Sequence, residues 1–523
     1  MAEKHRMTGW LQLHKRQKDI LFYLSLVVLG LLLFRIPGTG QPVLYDDSYS
    51  YMTITRYVEG VMPVYPLFLQ LNRFLFGEAA YLSVVTWEQA FLAITCLVVF
   101  VRAVKCRFNL PYWAGYGCYL LAMLPFTTDL PAGMTTQTIL TEGIAYAVFY
   151  LFMGAVLQAI WNKSMVWTGI AVLIEILMAA TRSQLQILYG VCGLLFCYVV
   201  IAKYGRKNGK KIAWALMGII GCLVISLAGV WLTGRISSTY QRQTAKNAAR
   251  VVAAEQAAAI AENKNATDEN AGQDVVTAQE KAAETYVATS QYVTLLYSRG
   301  MYEADEEDSA LFEEEELRHI FEIMYEAVDA DQCRYAYFTP GLWAWKDIAG
   351  GIGRVGNVGS LAQLKDYQDN LQETFDSNIY NGIRSQTQMQ IGITLLKEHF
   401  GRVLYHTLLL MPQAFISTVF FQVAPVYLLC HLITLFLYLS AIALMVWAFR
   451  DKKADNRKAA FMAVVLGVNL VLVGVISIIF FGQQRYLVYN FGIFYISYCV
   501  LLLELWETHG KSWITRWKER RKS

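Results

Sequence analysis

Ten apolar runs, near residues 20–35, 80–101, 111–127, 139–161, 165–181, 184–202, 212–233, 424–449, 459–481 and 486–505, constrain this chain more than any other feature. About 17 to 25 apolar residues cross a bilayer as a helix, the element that satisfies its own backbone hydrogen bonds where water is absent. Composition agrees, since 56% of the 523 residues are hydrophobic and 16% are charged, whereas soluble domains carry about a quarter charged residues. The expected fold is an all-α polytopic membrane protein with about ten transmembrane helices, the first and fifth the shortest. Membrane lipid is its solvent, and no nucleic-acid partner is expected.

Basic residues predict the orientation, because cytoplasmic connections retain Lys and Arg. Clusters occur at Lys4, Arg6, Lys15, Arg16 and Lys18, at Arg102, Lys105 and Arg107, and at Lys203, Arg206, Lys207, Lys210 and Lys211. Further clusters follow at Arg450, Lys452, Lys453, Arg457 and Lys458, and in the tail at Lys511, Arg516, Lys518, Arg520, Arg521 and Lys522. With ten spans, all of these fall on one side and both termini are cytoplasmic. The first apolar run lacks a small-residue cleavage site and reads as a retained helix.

Three regions result: 1–233 with helices 1–7, an external soluble segment 234–402, and 403–523 with helices 8–10 and a basic tail. The external segment opens with an Ala-, Glu- and Gln-rich stretch that favours long helices. "EADEEDSALFEEEELRH" at 303–319 reads as a solvated acidic face and loop, with an acceptor- or cation-binding surface as the alternative. "GLWAWKDIAGGIGRVGNVG" at 341–359 has glycines without a P-loop ending, and reads as a flexible loop. Cys333 is the only cysteine of the segment, so no internal disulfide can form there. No CxxC or HExxH metal signature occurs. Absence of paired cysteines and the Ala/Gln/Glu-rich insert point to a bacterial plasma membrane.

"PVLYDDSYSYM" at 42–52 places Asp46 and Asp47 just beyond the first span, within the first external loop 36–79. Tyr51, Ile54, Tyr57 and Val58 at helical spacing, then Pro63 and Pro66, predict one or two amphipathic interfacial helices broken by proline. Capping by Asp46, Asp47 or Ser48 would explain one acid but not two.

The acidic pair "DDSYSY" and the "GVMPVYPLFLQLNRFLFG" that follows resemble the first external loop of the GT-C superfamily of polytopic glycosyltransferases. "TQTILTEGIAYAVFYLFM" at 136–153 resembles that superfamily's acidic opening of the fourth helix, and "GQQRYLVYNFGIFYISYCVLLLE" at 482–504 its Arg-Tyr start of a late helix. A soluble domain between the seventh and eighth helices is also similar to protein O-mannosyltransferases, and the membrane region to aminoarabinose transferases. The family often has Asp-Glu where this chain has Asp46-Asp47, which leaves open which acid is catalytic. The resemblance implies a polyprenyl-phosphate sugar donor, and a glycan, lipid or protein acceptor offering a hydroxyl or amine at the outer membrane face.

The residue types suit that chemistry. Such a transfer needs a base for the acceptor and positive charge or metal for the departing phosphate. Asp46 and Asp47 are the candidate bases, and Glu142 the second acid, either assisting the acceptor or binding a divalent cation such as Mg or Mn. Arg485 is the first candidate for the phosphate, with Tyr486 and Tyr489 lining a groove; Arg182 and the group Lys397, His399 and Arg402 are alternatives. Arg182 could instead pair with Glu175, seven residues back on nearly the same helix face.

A transporter or flippase of lipid-linked or cell-envelope components would also have many spans, but common transporters show two similar halves, and no internal repeat is visible here. A sensor or assembly protein using 234–402 to bind a partner is the third class. Topology can be checked directly: a cysteine at Gln273 is expected to react with an impermeant maleimide in intact cells and one at Lys207 to stay unlabelled. The reverse pattern would overturn the orientation.

Overall fold

The structure, a computed structural model, describes residues 2–35, 41–52, 61–127, 136–205, 211–262, 291–341, 344–361, 377–420, 426–479 and 484–510. Among these residues the regular structure is helical, apart from one isolated parallel bridge between Val43 and Thr138. Among the described residues, eight helical segments are long and apolar enough to cross a membrane. They centre on α1 (Ala2–Arg35), α4 (Tyr81–Phe108), α6 (Glu142–Asn162), α8 (Leu188–Tyr204), α9 (Lys211–Glu262), α15 (Tyr427–Arg450), α16 (Asn456–Ile479) and α18 (Phe491–Leu505), the last preceded by the short α17 (Gln484–Leu487). This is an all-α, multi-pass membrane architecture.

The two remaining expected spans are helices of 16 and 17 residues, α5 (Tyr112–Thr127) and α7 (Met165–Thr181). At 1.5 Å per residue they reach roughly 24–26 Å, short of a hydrocarbon core of about 30 Å. Both nevertheless carry the chain from one end of the bundle to the other. Phe108, ending α4, packs edge-on against Trp161 near the end of α6 (centroids 5.2 Å apart). At the opposite end, Gln89 of α4 donates to the carbonyls of Thr136 and Thr138, just before α6. α5 must therefore return the chain across the depth of α4, and α7 across the depth of α6.

α2 (Asp46–Met52) and α3 (Val64–Phe76) precede α4. Pro66 sits in the first turn of α3, where a missing N–H costs nothing. Tyr65, Leu69 and Asn72 face the bundle, while Leu67, Leu71 and Phe74 are exposed, the division expected of a helix lying in an interface. The bundle core is aromatic and tightly packed. Gly492 of α18 brings that helix onto α5: a Cβ there would lie 2.7 Å from the Ala122 Cα and 3.2 Å from the Leu121 carbonyl.

The region between the two sets of apolar helices holds a helical module with its own core. It contains α10 (Gln291–Tyr302), α11 (Glu315–Ala330), α12 (Ala344–Leu361), α13 (Ser377–Glu398) and α14 (Phe400–Val419). Tyr297, Met301, Phe321, Met324, Ile348, Ile352 and Leu395 fill that core. α9 runs unbroken past residue 234, and α14 past residue 402, placing Leu410 in the module core and Ala414 and Val419 in the bundle core. Most of the Gly-rich stretch expected as a loop is helix α12: Gly351 lets it approach Tyr302 and the Cys333 carbonyl, where a Cβ would sit 2.6 Å from each. The acidic stretch is only partly a solvated face, since Glu303 and Asp308 are buried. All nine cysteines are free, Cys333 among them.

Gly492→Ala should destabilise the bundle by about 1–3 kcal/mol through overpacking against backbone that cannot retreat. Gly474→Ala, with nothing within 4 Å of the added carbon, should be neutral or stabilising. Thermal unfolding in detergent distinguishes the two, and equal behaviour would contradict the close α5–α18 contact.

Candidate active site

The bridge at Val43 sets the geometry of the first loop. Val43 donates to the Gln137 carbonyl at 2.9 Å, and the Ile139 N–H donates back to the Val43 carbonyl at 3.0 Å. Two segments nearly a hundred residues apart in sequence are thus paired immediately before α2 and α6. Gln89 fixes the pair from beneath. Its Nε2 donates to Thr136 and Thr138 carbonyls at 2.8 and 3.1 Å, and its Oε1 accepts from Tyr65 at 2.9 Å. Gly143 makes room for this amide, since a Cβ there would come within 2.6 Å of it.

α2 is capped by Ser48, whose Oγ accepts from the Tyr45 N–H at 2.9 Å. Asp47, in the first turn, is used differently: its Oδ2 accepts from Arg485 Nη1 at 2.7 Å. The second charged pair lies alongside. Glu142, the first residue of α6, binds Arg182, the residue that ends α7. Thr141 completes that pair by donating to Glu142 Oε2 at 3.0 Å and accepting from Arg182 Nη1 at 3.0 Å. Arg182 therefore pairs with Glu142 and not with Glu175. Glu175 is fully buried, and neither of its oxygens has a hydrogen-bond partner among the described residues.

Tyr486 joins the two pairs, its ring centroid 5.2 Å from the Arg182 Cζ and 5.2 Å from the Arg485 Cζ. Two arginines sharing one ring repel, and the two carboxylates offset them. Below, Gln184 donates to the Tyr489 hydroxyl at 3.4 Å, and the Tyr489 ring packs on Tyr146 with centroids 4.6 Å apart. Tyr51, one helical turn after Asp47, reaches the Thr141 hydroxyl. Burial, reinforced by the negative charge of Glu142, pushes its phenol up to about 12. At neutral pH it is a proton-bearing donor at the edge of the site.

Of the residues expected from sequence, the structure brings together Asp47, Glu142, Arg182, Arg485 and Tyr486. Asp46 is the first residue of α2, and its side chain lies outside the described residues. The Lys397, His399 and Arg402 group belongs to a second cluster in the helical module. There His399 contacts Asp308 at 2.7 Å, Arg402 donates to Asp305 at 3.0 Å and to the Glu303 carbonyl at 2.7 Å, and Lys397 is exposed. Burial alone would raise the Asp305 carboxyl, but hydrogen bonds from Tyr335 and Arg402 hold it below the ordinary carboxylate range. Thr141 was not singled out from sequence, and Tyr51 was read only as part of an interfacial helix face; each stands near a residue expected in the site, Thr141 directly before Glu142 and Tyr51 four residues beyond Asp47.

A divalent cation would need clustered anionic or neutral ligands. Both oxygens of Glu142 are engaged, by Arg182 and Thr141, and Asp47 is engaged by Arg485, so these acids are arranged as ion pairs. Asp305, Asp308 and His399 do offer one ligand atom each, all within 4.8 Å of one another. Those atoms are shared with Arg402, Tyr335 and each other. No protein-family profile matches the chain, and no curated protein matches it.

The two pairs differ in exposure, with side chains 12% and 1% accessible for Arg182 and Glu142 but 32% and 50% for Arg485 and Asp47. Arg182→Gln should therefore cost about 3–5 kcal/mol of stability, because it strands a buried carboxylate, while Arg485→Gln should stay within about 1 kcal/mol. Adding Glu142→Gln to the first variant should recover part of the loss. Equal melting temperatures for the two single variants would remove the distinction between a structural and an exposed pair.

Proposed function

We propose that the chain is a membrane glycosyltransferase that moves a sugar from a polyprenyl phosphate to a hydroxyl or amine acceptor at the outer face of the membrane. The observation that carries this reading is the Asp47–Arg485 and Glu142–Arg182 quartet, which sets two carboxylates and two guanidiniums around Tyr486 next to an interfacial helix. A carboxylate beside a phosphate-binding cation is the minimum such a transfer requires. The reading includes ten crossings with cytoplasmic termini, α5 and α7 being the two short ones.

In this reaction the acceptor oxygen attacks the anomeric carbon as its proton passes to Asp47. The bond between anomeric carbon and phosphate oxygen breaks, and its electron pair leaves with the phosphate. Arg485, backed by Arg182, offsets the charge that develops there. Asp47 is favoured over Asp46 as base because its carboxylate stands beside the cation that would hold the phosphate. Glu142 keeps Arg182 charged and fixed. A resident Mg or Mn is not required by this arrangement, so transfer should persist in excess EDTA. Loss on chelation, restored by either cation, would assign a metal role to the acids.

One observation favours a second reading, a transporter or flippase of lipid-linked or envelope components. Glu175 is a fully buried acid without a hydrogen-bond partner among the described residues, and such acids within membrane helices often mark ion or proton pathways. Purified protein given a radiolabelled polyprenyl-phosphate sugar separates the two: transfer or slow release of sugar is expected, and label that only changes sides in proteoliposomes would favour transport. Asp47→Asn should lower transfer at least about a hundredfold, the scale of general-base catalysis, with little change in thermal stability. Turnover should fall in the order wild type, Arg485→Lys, Arg485→Gln, the last losing roughly 2–4 kcal/mol of transition-state stabilisation. Normal turnover in Arg485→Gln would move the phosphate to Arg182 or the Lys397, His399, Arg402 group.

A further inference from the structure

The two ion pairs of the site are unequal in a way that bears on how it is switched on. Glu142 and Arg182 are nearly sealed from water, and Thr141 bonds to both. Separating them would leave a bare charge in a low-dielectric setting, which is strongly unfavourable. Asp47 and Arg485 meet through one oxygen and one nitrogen, and half of the Asp47 side chain is exposed. Exposed pairs of this kind contribute little to stability. An incoming anion will therefore displace Asp47, not Glu142.

We propose that the Asp47–Arg485 pair is an exchangeable latch: the phosphate of a lipid-phosphate ligand takes the guanidinium of Arg485 from Asp47, and the released carboxylate is thereby freed to accept the acceptor's proton. The inference rests on the glycosyltransferase reading and adds a regulatory step to it. Two observations beyond the pair itself support the exchange. Arg485 is anchored independently of Asp47, through its Nη2 bond to the Tyr486 hydroxyl at 3.2 Å and its position over the Tyr486 ring, so it keeps its place when the carboxylate leaves. Asp47 lies on a helix of seven residues whose cap is supplied by Ser48, so releasing its side chain does not uncap α2.

The charges favour the same order of events. Before ligand binding, Asp47 and Glu142 offset the two arginines. A sugar diester of phosphate brings one negative charge and replaces one carboxylate at Arg485, leaving the balance around the arginines unchanged. Once the sugar has left, the lipid monophosphate carries roughly one charge more, and it is held more tightly than the donor. The base is masked while the site is empty, which disfavours proton transfer from water or a stray acceptor when no donor is bound.

The test is equilibrium binding of a polyprenyl monophosphate to the full chain in nanodiscs, with melting temperatures measured alongside. Asp47→Asn removes the competitor and should bind about fivefold more tightly than wild type, the equivalent of deleting a weak exposed pair. Asp46→Asn removes the same charge from the same turn and should stay within about twofold if competition for Arg485, and not the general field, is the cause. Arg485→Gln should weaken binding by at least about tenfold. Unchanged or weaker binding by a folded Asp47→Asn protein, or equal tightening in Asp46→Asn, would overturn the latch while leaving the phosphate site in place. Absence of lipid-phosphate binding in wild type would overturn the latch together with the glycosyltransferase reading.

Discussion

The ion pair between Glu142 and Arg182 holds the site together, because both partners have left water and neither can be moved alone. It fastens the start of α6 to the end of α7, the two points at which the chain emerges from the bundle on the same side. Everything else in the site is placed relative to it. Thr141 is locked between the partners, Tyr51 reaches Thr141 from the first loop, and Tyr486 lies against Arg182 from the far end of the sequence. A buried pair is a poor source of net stability compared with apolar packing, but it is intolerant of misplacement, and that intolerance gives the site its geometry.

The first loop is held by a different kind of interaction, with consequences for how the site can move. Its backbone pairs with the segment before α6 at Val43, and Gln89 fixes that segment from α4. These bonds anchor one end of α2. Tyr51 adds a buried contact to Thr141, and the solvent-accessible contact of α2 is the one between Asp47 and Arg485. The result is a rigid floor carrying a lightly held charged rim, the arrangement in which an anion can rearrange the rim without disturbing the floor.

The helical module is joined to the membrane bundle more firmly than a domain on a linker. α14 runs between them and shares its buried residues between the two cores. His399 and Arg402, at the base of the module, are committed to Asp308 and Asp305. Those contacts make the cluster a structural foot of the module, where Arg402 also lies 3.8 Å from the centre of the Tyr335 ring.

Hydropathy made the membrane architecture legible: the runs at 80–101, 139–161 and 212–233 each became part of a long helix, because a bilayer leaves an apolar run of that length little other choice. Charged residues at the ends of those runs were legible for the same reason, so Asp47, Glu142, Arg182 and Arg485 could be named as rim residues. Their pairing could not. The sequence offered Glu175 as a partner for Arg182 at helical spacing, yet tertiary packing turned Glu175 into the bundle and brought Glu142 from the neighbouring helix. Asp47 and Arg485 lie 438 residues apart, beyond any local rule of spacing. The glycines of 341–359 misled for a related reason: read locally they suggest a loop, whereas in the fold Gly351 serves the close approach of α12 to Tyr302 and Cys333. Sequence alone determined which segments are long and apolar enough to enter a membrane and which charges flank them, since each depends on transfer between solvents residue by residue. Only the tertiary structure decided which charge meets which, because that depends on helix packing over the whole bundle.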